Sequence, residues 1–240
     1  MNTDIYRSKI KNIYKKVNFN FKNFSSESNE ISYKIFSFYN KNVDKNFPLY
    51  QKKVFNLFGY KINQLTDYRL THAEFINHVV QAEKKIDFLI FFDIDCIPTS
   101  PNTINILLSQ LLDHKTMVGA AQSANHIDEG KNLYVGPFFL GISTKMLKEL
   151  DYPDFREKEG QYDVAQYFSE KVRETKNYNI RYWWPTNIEV PRWKLHQSKM
   201  GFGLGTEYEN LVYHAFESRK ADDPRFLKKC KTILDQLSNI

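Results

Sequence analysis

An unbroken apolar segment near the middle of the chain is its strongest local pattern. Phe88–Phe92 is apolar throughout, which is typical of a strand buried on both faces. Asp93 and Asp95 follow two positions apart, and in extended backbone that spacing would place both carboxylates on one face. Pro98, which has no N–H to donate, predicts the end of pairing. The pattern predicts a buried strand that carries two acids to the edge of a sheet, where α/β proteins bind ligands.

Periodic apolar positions on both sides of this segment predict further elements. Thr71 and Glu74 have the spacing of a capping box and predict the start of one helix. The predicted strands span residues 31–40, 59–65, 88–92, 117–121 and 179–184, and the predicted helices span residues 48–58, 72–84, 102–112, 144–150, 164–174 and 226–240. Residues 122–132 are expected to form a polar loop, and the segment after the last strand is expected to alternate glycine-rich loops with aromatic residues. The alternation of strands and helices predicts an α/β fold with a mostly parallel sheet flanked by helices.

The first 29 residues have a different character, because they are basic and polar. Their apolar residues recur at helical spacing, which predicts an amphipathic helix with a basic face. Such a helix would either lie on an anionic membrane surface or pack on the domain. We therefore expect a basic extension over residues 1–29 and one domain over residues 30–240.

Composition limits the class of partner without choosing one. A net charge of +6 and a pI near 9.0 favour an anionic partner: a nucleotide phosphate, a membrane surface or nucleic acid. No nucleic-acid-binding motif is present, so we expect no nucleic-acid partner. Cys96 and Cys230 have no metal-type spacing, and Cys96 is expected to be a small apolar filler. The absence of a signal pattern or a membrane-spanning apolar run predicts a cytoplasmic protein, with peripheral contact at the inner membrane face left open.

Two carboxylates a few ångströms apart repel each other unless a proton or a cation lies between them. A hard divalent cation with oxygen ligands would neutralise Asp93 and Asp95. The alternative interpretation is a pair of solvated acids at the start of a loop.

The segment Asp93–Asp95, placed after a βαβ half, resembles the DxD motif of GT-A nucleotide-sugar glycosyltransferases. The segment Gly136–Gly141 and a downstream histidine add to the resemblance, which extends over residues 31–218. It implies a GT-A-like (Rossmann-like) sheet with the donor bound at its first half and the acceptor at its second. It also implies Mn²⁺ or Mg²⁺ between the motif and the donor diphosphate, with Asp95 binding the metal directly and Asp93 meeting the metal or the ribose.

The same resemblance implies further donor contacts. Phe38, Tyr39 and Asn40, at the end of the first predicted strand, would contact the base and ribose, although this turn departs from the family's apolar-Pro-x-Tyr/Phe-Asn form. Gly136 and Gly141 would border the donor.

Asp163 is the predicted catalytic base, because the resemblance implies an acid at the start of a helix after the sugar-binding loop. An inverting transfer needs such a base for the acceptor hydroxyl. The alternative is that Asp163 only caps the helix that follows.

His214 is the predicted third protein ligand of the metal. Two carboxylates and two phosphate oxygens leave an octahedral ion short of ligands, and imidazole joins carboxylates readily on Mn²⁺-type ions. The alternatives are a histidine packed and hydrogen-bonded between Tyr213 and Phe216, or His196 as the ligand.

Three more features each have two interpretations. Residues Gly201–Thr206 would form a flexible lid or an irregular turn. Arg192 and Lys194 would pair with phosphates or remain solvated surface charges. The tryptophans would form a sugar platform for the acceptor or part of the core; they are Trp183, Trp184 and Trp193.

These features together predict a metal-dependent transferase that moves a sugar, of the hexose type, from a nucleotide-sugar donor to a saccharide, lipid-linked or protein acceptor. A haloacid-dehalogenase-type phosphohydrolase would also use Asp-x-Asp, but on its first strand. A metal-dependent nucleotidyltransferase would likewise hold its metal with a pair of acids. A non-enzymatic module would use the basic residues to bind nucleic acid.

Overall fold

The computed structural model describes residues 31–40, 42–67, 69–217 and 224–238. The predicted extension over residues 1–29, its helix and its membrane contact lie outside these ranges. Within them, no helix has both the length and the apolarity needed to cross a membrane.

Strands and helices follow one another along most of the described chain. The strands are β1 Tyr33–Tyr39, β2 Ile62–Thr66, β3 Phe88–Phe92, β4 Cys96–Pro98, β5 Thr116–Ser123, β6 Leu133–Ser143, β7 Asn179–Trp183, β8 Pro185–Trp193, β9 Phe202–Tyr208 and β10 Val212–His214. The helices are α1 Asn46–Leu57, α2 His72–Ala82, α3 Thr103–Leu111, α4 Asn125–Asp128, α5 Thr144–Glu149, α6 Gln166–Glu174 and α7 Arg225–Ser238.

The first sheet has six strands in the order β2-β1-β3-β6-β5-β7. Strand β6 is antiparallel to both of its neighbours, and the remaining pairs are parallel. Its centre, β3, sends alternate side chains to opposite faces, with Phe88 and Ile90 in one core cluster and Leu89 and Phe91 in the second. This double burial explains the unbroken apolar run. The strand order and directions confirm the predicted α/β fold with a mostly parallel sheet.

Helices cover both faces of the first sheet. Helices α2, α5 and α6 pack on one face, and α1, α3 and α7 pack on the opposite face. The predicted capping box at the start of α2 is present: the Thr71 side chain accepts from the Glu74 N–H at 3.2 Å, and the Glu74 carboxylate accepts from the Thr71 N–H at 2.8 Å. Helix α4 is a single turn that lies inside residues 122–132, the segment predicted as a polar loop.

A second, antiparallel sheet has the strand order β4-β10-β9-β8, and its strands β8, β9 and β10 come from the segment that was predicted to be loops. That prediction was wrong because the strands lack a clear apolar alternation. Strand β8 is largely exposed, and its register shifts beside Pro185 and again beside Pro191. Prolines at bulges and edge positions weaken the strand signal in a sequence.

The glycine-rich segment Gly201–Thr206 lies in this sheet and is neither a lid nor an irregular turn, since β9 begins at Phe202. A side chain at Gly203 would place its Cβ 2.1 Å from the Val190 carbonyl oxygen of β8. The glycines therefore allow β8 and β9 to approach closely. Their role is packing between strands.

Candidate metal centre

Asp93 and Asp95 lie in a tight turn between β3 and β4, and not in the extended backbone that their spacing suggested. The Cys96 N–H donates to the Asp93 carbonyl at 3.0 Å and closes the turn. The Gln51 side chain donates to the carbonyls of Asp93 at 2.6 Å and Cys96 at 3.0 Å. The turn is needed here because the chain leaves the first sheet at Phe92 and enters the second at Cys96.

Both carboxylates are buried, with residue exposures of 7% for Asp93 and 1% for Asp95. The Asp93 N–H donates to the Phe138 carbonyl at 2.8 Å, and Asp93 Oδ1 accepts from the Ile94 N–H at 2.8 Å. Burying two like charges together is costly unless a cation or proton compensates them. The burial argues against the interpretation of a solvated pair of acids.

His214 joins the two acids from the opposite end of the sequence. Strand β10 pairs with β4, which places His214 opposite Cys96, and His214 Nε2 lies 3.1 Å from Asp95 Oδ1. One possible ligand atom from each of Asp93, Asp95 and His214 lies within 4.8 Å of the others. Neighbouring ligands of an octahedral ion with bonds of 2.0–2.1 Å are about 2.9 Å apart, and the 3.1 Å between His214 Nε2 and Asp95 Oδ1 is close to that value. The three residues could therefore hold a divalent cation.

The His214 ring is also packed among aromatic side chains, as the alternative interpretation expected. Its centroid lies 4.0 Å from that of Phe138, nearly parallel to it, and 3.8 Å from that of Phe216. His214 Nδ1 is buried and has no hydrogen-bond partner in the part of the chain that the structure describes. The rival His196 lies elsewhere, with its Nε2 2.9 Å from the Glu129 carbonyl oxygen.

A cleft of about 490 Å³ opens beside this cluster. Its lining residues are Asp93, Asp95, Gln122, Pro137, Phe138, His214, Phe216 and Glu217. A bulge in β6 supplies Pro137 and Phe138, because residues 136–139 have no partners in the ladder to β5. A Cβ at Gly136 would lie 2.4 Å from the Phe138 ring and 2.5 Å from Gln122 Oε1. Gly136 thus lets Phe138 fold back towards His214.

Gln122 and Glu217 are part of the cleft, but no sequence pattern indicated either one. Gln122 Oε1 is buried and has no hydrogen-bond partner among the described residues. The only related signal was the segment Gly136–Gly141, whose first glycine contacts Gln122.

A second cavity of about 210 Å³ lies at the ends of β1 and β3. Phe38, Tyr39, Asn40 and Asp93 all line it, together with Thr71 and further residues that precede or begin α2. The structure therefore brings the predicted base and ribose contacts together with the first acid of the motif. Asp93 lines both this cavity and the cleft.

The structure does not bring Gly141 to either cavity. Gly141 pairs with Ile90 and Val118 inside the first sheet, and a Cβ there would lie 2.9 Å from Leu107 of α3. Its place is in the core, where its small size admits the helix.

Asp163 is absent from the lining of the cleft. Its carboxylate accepts from the Tyr134 hydroxyl at 2.6 Å and from the Val164 N–H at 2.8 Å. Burial, together with Asp163, raises the pKa of Tyr134 well above its usual value. Asp163 does not cap α6, because Ala165 precedes that helix without a side-chain cap.

Trp183 and Cys96 lie in the core. Trp183 is buried and donates to Gln110 Oε1 at 2.9 Å, which agrees with the core interpretation. Burial, followed by the charges of Asp95 and Asp93, raises the pKa of the Cys96 thiol, so it stays protonated as an apolar filler.

A third cavity, of about 480 Å³, is basic and lies along the end of β8. Arg192, Lys194, His196 and Lys199 are among its lining residues. Arg192 pairs at 2.7 Å with Glu217, which lines the cleft beside Asp93 and Asp95, so this cavity and the cleft are connected through one ion pair.

Comparisons with known proteins give only distant similarity. No protein-family model matches the sequence, and no curated protein matches it. The solved structure of A197 from STIV is 14% identical, with a TM-score of 0.41 over 62% of this chain and 82% of that one. A glycosyltransferase involved in the glycosylation of the major capsid of PBCV-1 is 11% identical, with a TM-score of 0.42 over 63% and 82%. S. aureus TarS is 12% identical, with a TM-score of 0.38 over 63% and 35%. At these values the likeness by itself assigns no activity to this chain.

Proposed function

We propose that this protein transfers a sugar, of the hexose type, from a nucleotide-diphosphate sugar to an acceptor hydroxyl. The observation that carries the proposal is the buried group Asp93, Asp95 and His214, whose ligand atoms lie within 4.8 Å of one another. Asp93 also lines two cavities: one has the aromatic lining that would suit a base and ribose, and the other would take the sugar and the acceptor. A donor that bridges two cavities across a cation fits this arrangement.

Each side chain has a role under this proposal. Asp95 and His214 would hold Mn²⁺ or Mg²⁺ directly, and Asp93 would meet the cation or the ribose. When bound, the cation supplies stabilisation of the negative charge that develops on the leaving diphosphate. A histidine ligand favours Mn²⁺-type ions over Mg²⁺.

The donor contacts are divided between the two cavities. Phe38, Tyr39 and Asn40 would orient the base and ribose. Gln122 would bind a hydroxyl of the sugar, because an unpaired buried amide oxygen is costly until a ligand satisfies it. Gly136 keeps that corner free of a side chain. The acceptor is a saccharide, a lipid-linked molecule or a protein, and the cleft alone does not choose among them.

Metal-dependent nucleotide binding tests the proposal. UDP-, GDP-, CMP- and dTDP-sugars with Mn²⁺ are compared by thermal shift and by release of the nucleotide. A ligand at 100 times its dissociation constant stabilises by about 2.7 kcal/mol, which at roughly 2–4 °C per kcal/mol raises the melting temperature by several degrees. Asp95→Asn is the control: it should lose the metal-dependent shift without lowering the metal-free melting temperature, because it removes one of two like charges.

Three outcomes would count against the proposal. Equal shifts with and without EDTA for every nucleotide would contradict the metal centre. Phosphatase activity on an aryl phosphate that disappears in Asp93→Asn would indicate the phosphohydrolase. Pyrophosphate release from a nucleoside triphosphate and a sugar 1-phosphate would indicate the nucleotidyltransferase.

A further inference from the structure

We propose that Glu217 is the catalytic base that takes the proton from the acceptor hydroxyl. This inference rests on the proposed function and adds a residue that no sequence pattern indicated. Glu217 lies three positions after His214 and lines the same cleft as Asp93 and Asp95.

Glu217 is the carboxylate of the cleft that remains for proton transfer. Among the described residues that line the cleft, the two further carboxylates belong to Asp93 and Asp95, which form the metal centre. Their burial shields them from an incoming acceptor, whereas the Glu217 side chain is 52% exposed. An acceptor hydroxyl that enters the cleft from solvent can therefore reach Glu217.

Arg192 holds the Glu217 carboxylate by one oxygen. Arg192 Nη1 lies 2.7 Å from Glu217 Oε2, and Oε1 makes no hydrogen bond or ion pair within the described part of the chain. Because both partners are partly exposed, the ion pair contributes little to stability. Its consequence is positional, since it orients Glu217 and leaves Oε1 to accept a proton.

The backbone at this position is tied to the metal ligand. Phe216 and Glu217 both have left-handed backbone, with φ of 53° and 47°. This conformation is uncommon for residues other than glycine and clusters at functional sites. The Phe216 ring packs on both His214 and Phe138, so the turn that presents Glu217 is built on the same aromatic group that holds His214.

The step conserves atoms and charge. The acceptor O–H bond breaks, and its proton goes to Glu217 Oε1 while its oxygen forms a bond to the anomeric carbon of the donor. The anomeric C–O bond to the diphosphate breaks, and its electron pair leaves with the nucleoside diphosphate. The acceptor attacks from the side opposite the leaving group, so the anomeric configuration inverts. Glu217 then returns the proton to water.

Asp163, the base predicted from sequence, has a different environment. A general base must come within hydrogen-bond reach of the proton it removes. Asp163 accepts from Tyr134 and Val164 and is not part of the cleft lining. Glu217 lines the cleft that an acceptor would enter, whereas Asp163 does not.

Hydrolysis of the donor by water tests the assignment without a known acceptor. The nucleotide sugar that gives the largest metal-dependent thermal shift is used, and release of the nucleoside diphosphate is measured. Glu217→Gln should lower turnover by about 10²-fold or more, with unchanged donor affinity. Formate should restore part of the turnover of Glu217→Ala, because it supplies a carboxylate in the space of the missing one. Proton NMR should show the inverted anomer as the first product.

Glu129→Gln is the matched control. Glu129 also has left-handed backbone, with φ of 59°, and an ion pair, with Lys131 at 3.9 Å. It lines neither the cleft nor the cavity of about 210 Å³ at the ends of β1 and β3. The turnover of Glu129→Gln should equal that of the wild-type protein.

The results separate this inference from the proposed function. Wild-type protein that shows no metal-dependent donor binding would contradict the proposed function itself. If donor binding is intact, Glu217→Gln turnover within about threefold of wild type, against the loss expected of a base, overturns the inference. A parallel loss of donor affinity, or a loss of turnover in Asp163→Asn alone, overturns it as well.

Discussion

The two sheets of this protein are built from the sequence in different ways. The first takes β1, β2 and β3 from successive segments joined by α1 and α2, and an unbroken apolar run marks its central strand β3. The second joins β4 to β8, β9 and β10, which follow much later in the chain. Its longest strand, β8, contains two prolines and is largely exposed, and β9 contains two glycines.

The candidate metal centre lies where these two sheets meet. Asp93 and Asp95 occupy the turn that connects β3 of the first sheet to β4 of the second. His214 ends β10 and reaches the acids only because β10 pairs with β4. A local segment thus determines the position of the two acids, whereas pairing between distant strands determines the position of the histidine. Variants in each sheet test how far that sheet supports the centre.

The largest effect is expected for Gly203→Ala in the second sheet. The new Cβ would lie 2.1 Å from the Val190 carbonyl oxygen and 2.8 Å from the Arg192 amide nitrogen. Backbone atoms cannot move aside as side chains do, so we expect a loss of about 3 kcal/mol, the upper end for overpacking. At roughly 2–4 °C per kcal/mol, thermal unfolding in EDTA should show a melting temperature lower by several degrees.

Gly119→Ala provides the counterpart in the first sheet, since its Cβ would lie 2.4 Å from the Phe139 carbonyl oxygen. If the two sheets unfold as one unit, both variants lower the midpoint temperature of the same unfolding transition. If Gly203→Ala weakens Mn²⁺ binding without moving that transition, the second sheet opens by itself. An unchanged melting temperature and Mn²⁺ affinity in Gly203→Ala would contradict the close approach of β8 and β9.

His214→Ala should have the next largest effect, on metal binding. Residues that merely orient metal ligands change affinity by 10–100-fold, so loss of a ligand should weaken Mn²⁺ binding by at least about tenfold. Electron paramagnetic resonance titration with the nucleoside diphosphate present measures this. His196→Ala is the control, because its ring contacts the Glu129 carbonyl and not the acids. If His214→Ala binds Mn²⁺ as tightly as His196→Ala and the wild type, His214 is not a ligand of the cation.

Thr71→Ala should have the smallest effect, and it concerns the first sheet alone. Losing the capping box at the start of α2 should cost about 1 kcal/mol, or roughly 2–4 °C in melting temperature. Thr71→Ser, which keeps the hydroxyl, is the control. Because Thr71 also lines the cavity of about 210 Å³ at the ends of β1 and β3, the melting is measured in EDTA without nucleotide. A wild-type melting temperature in Thr71→Ala would show that the cap adds no stability.

Predictions from sequence succeeded where the signal was local and failed where it was not. The double burial of Phe88–Phe92 and the cap at Thr71 were correct, because each depends on neighbours within a few residues. The extended backbone expected at Asp93–Asp95 was wrong, because the chain must turn there to enter a second sheet that no local pattern indicated. Both interpretations of Gly201–Thr206, a flexible lid and an irregular turn, were wrong for the same reason, since its glycines accommodate another strand.

The sequence by itself determined five of the six strands of the first sheet and the acid pair at the end of its central strand, and the resemblance singled out the histidine worth testing; β6 was not predicted. The five strands and the acid pair follow from periodicity and chemistry over short segments, where backbone geometry directly relates spacing to direction. Only the tertiary structure decided that Gln122 and Glu217 line the cleft with His214, and that Asp163 and Gly141 do not. These positions depend on pairing between distant strands and on a bulge in β6, and such contacts leave no periodic trace in the sequence because each joins residues far apart along the chain.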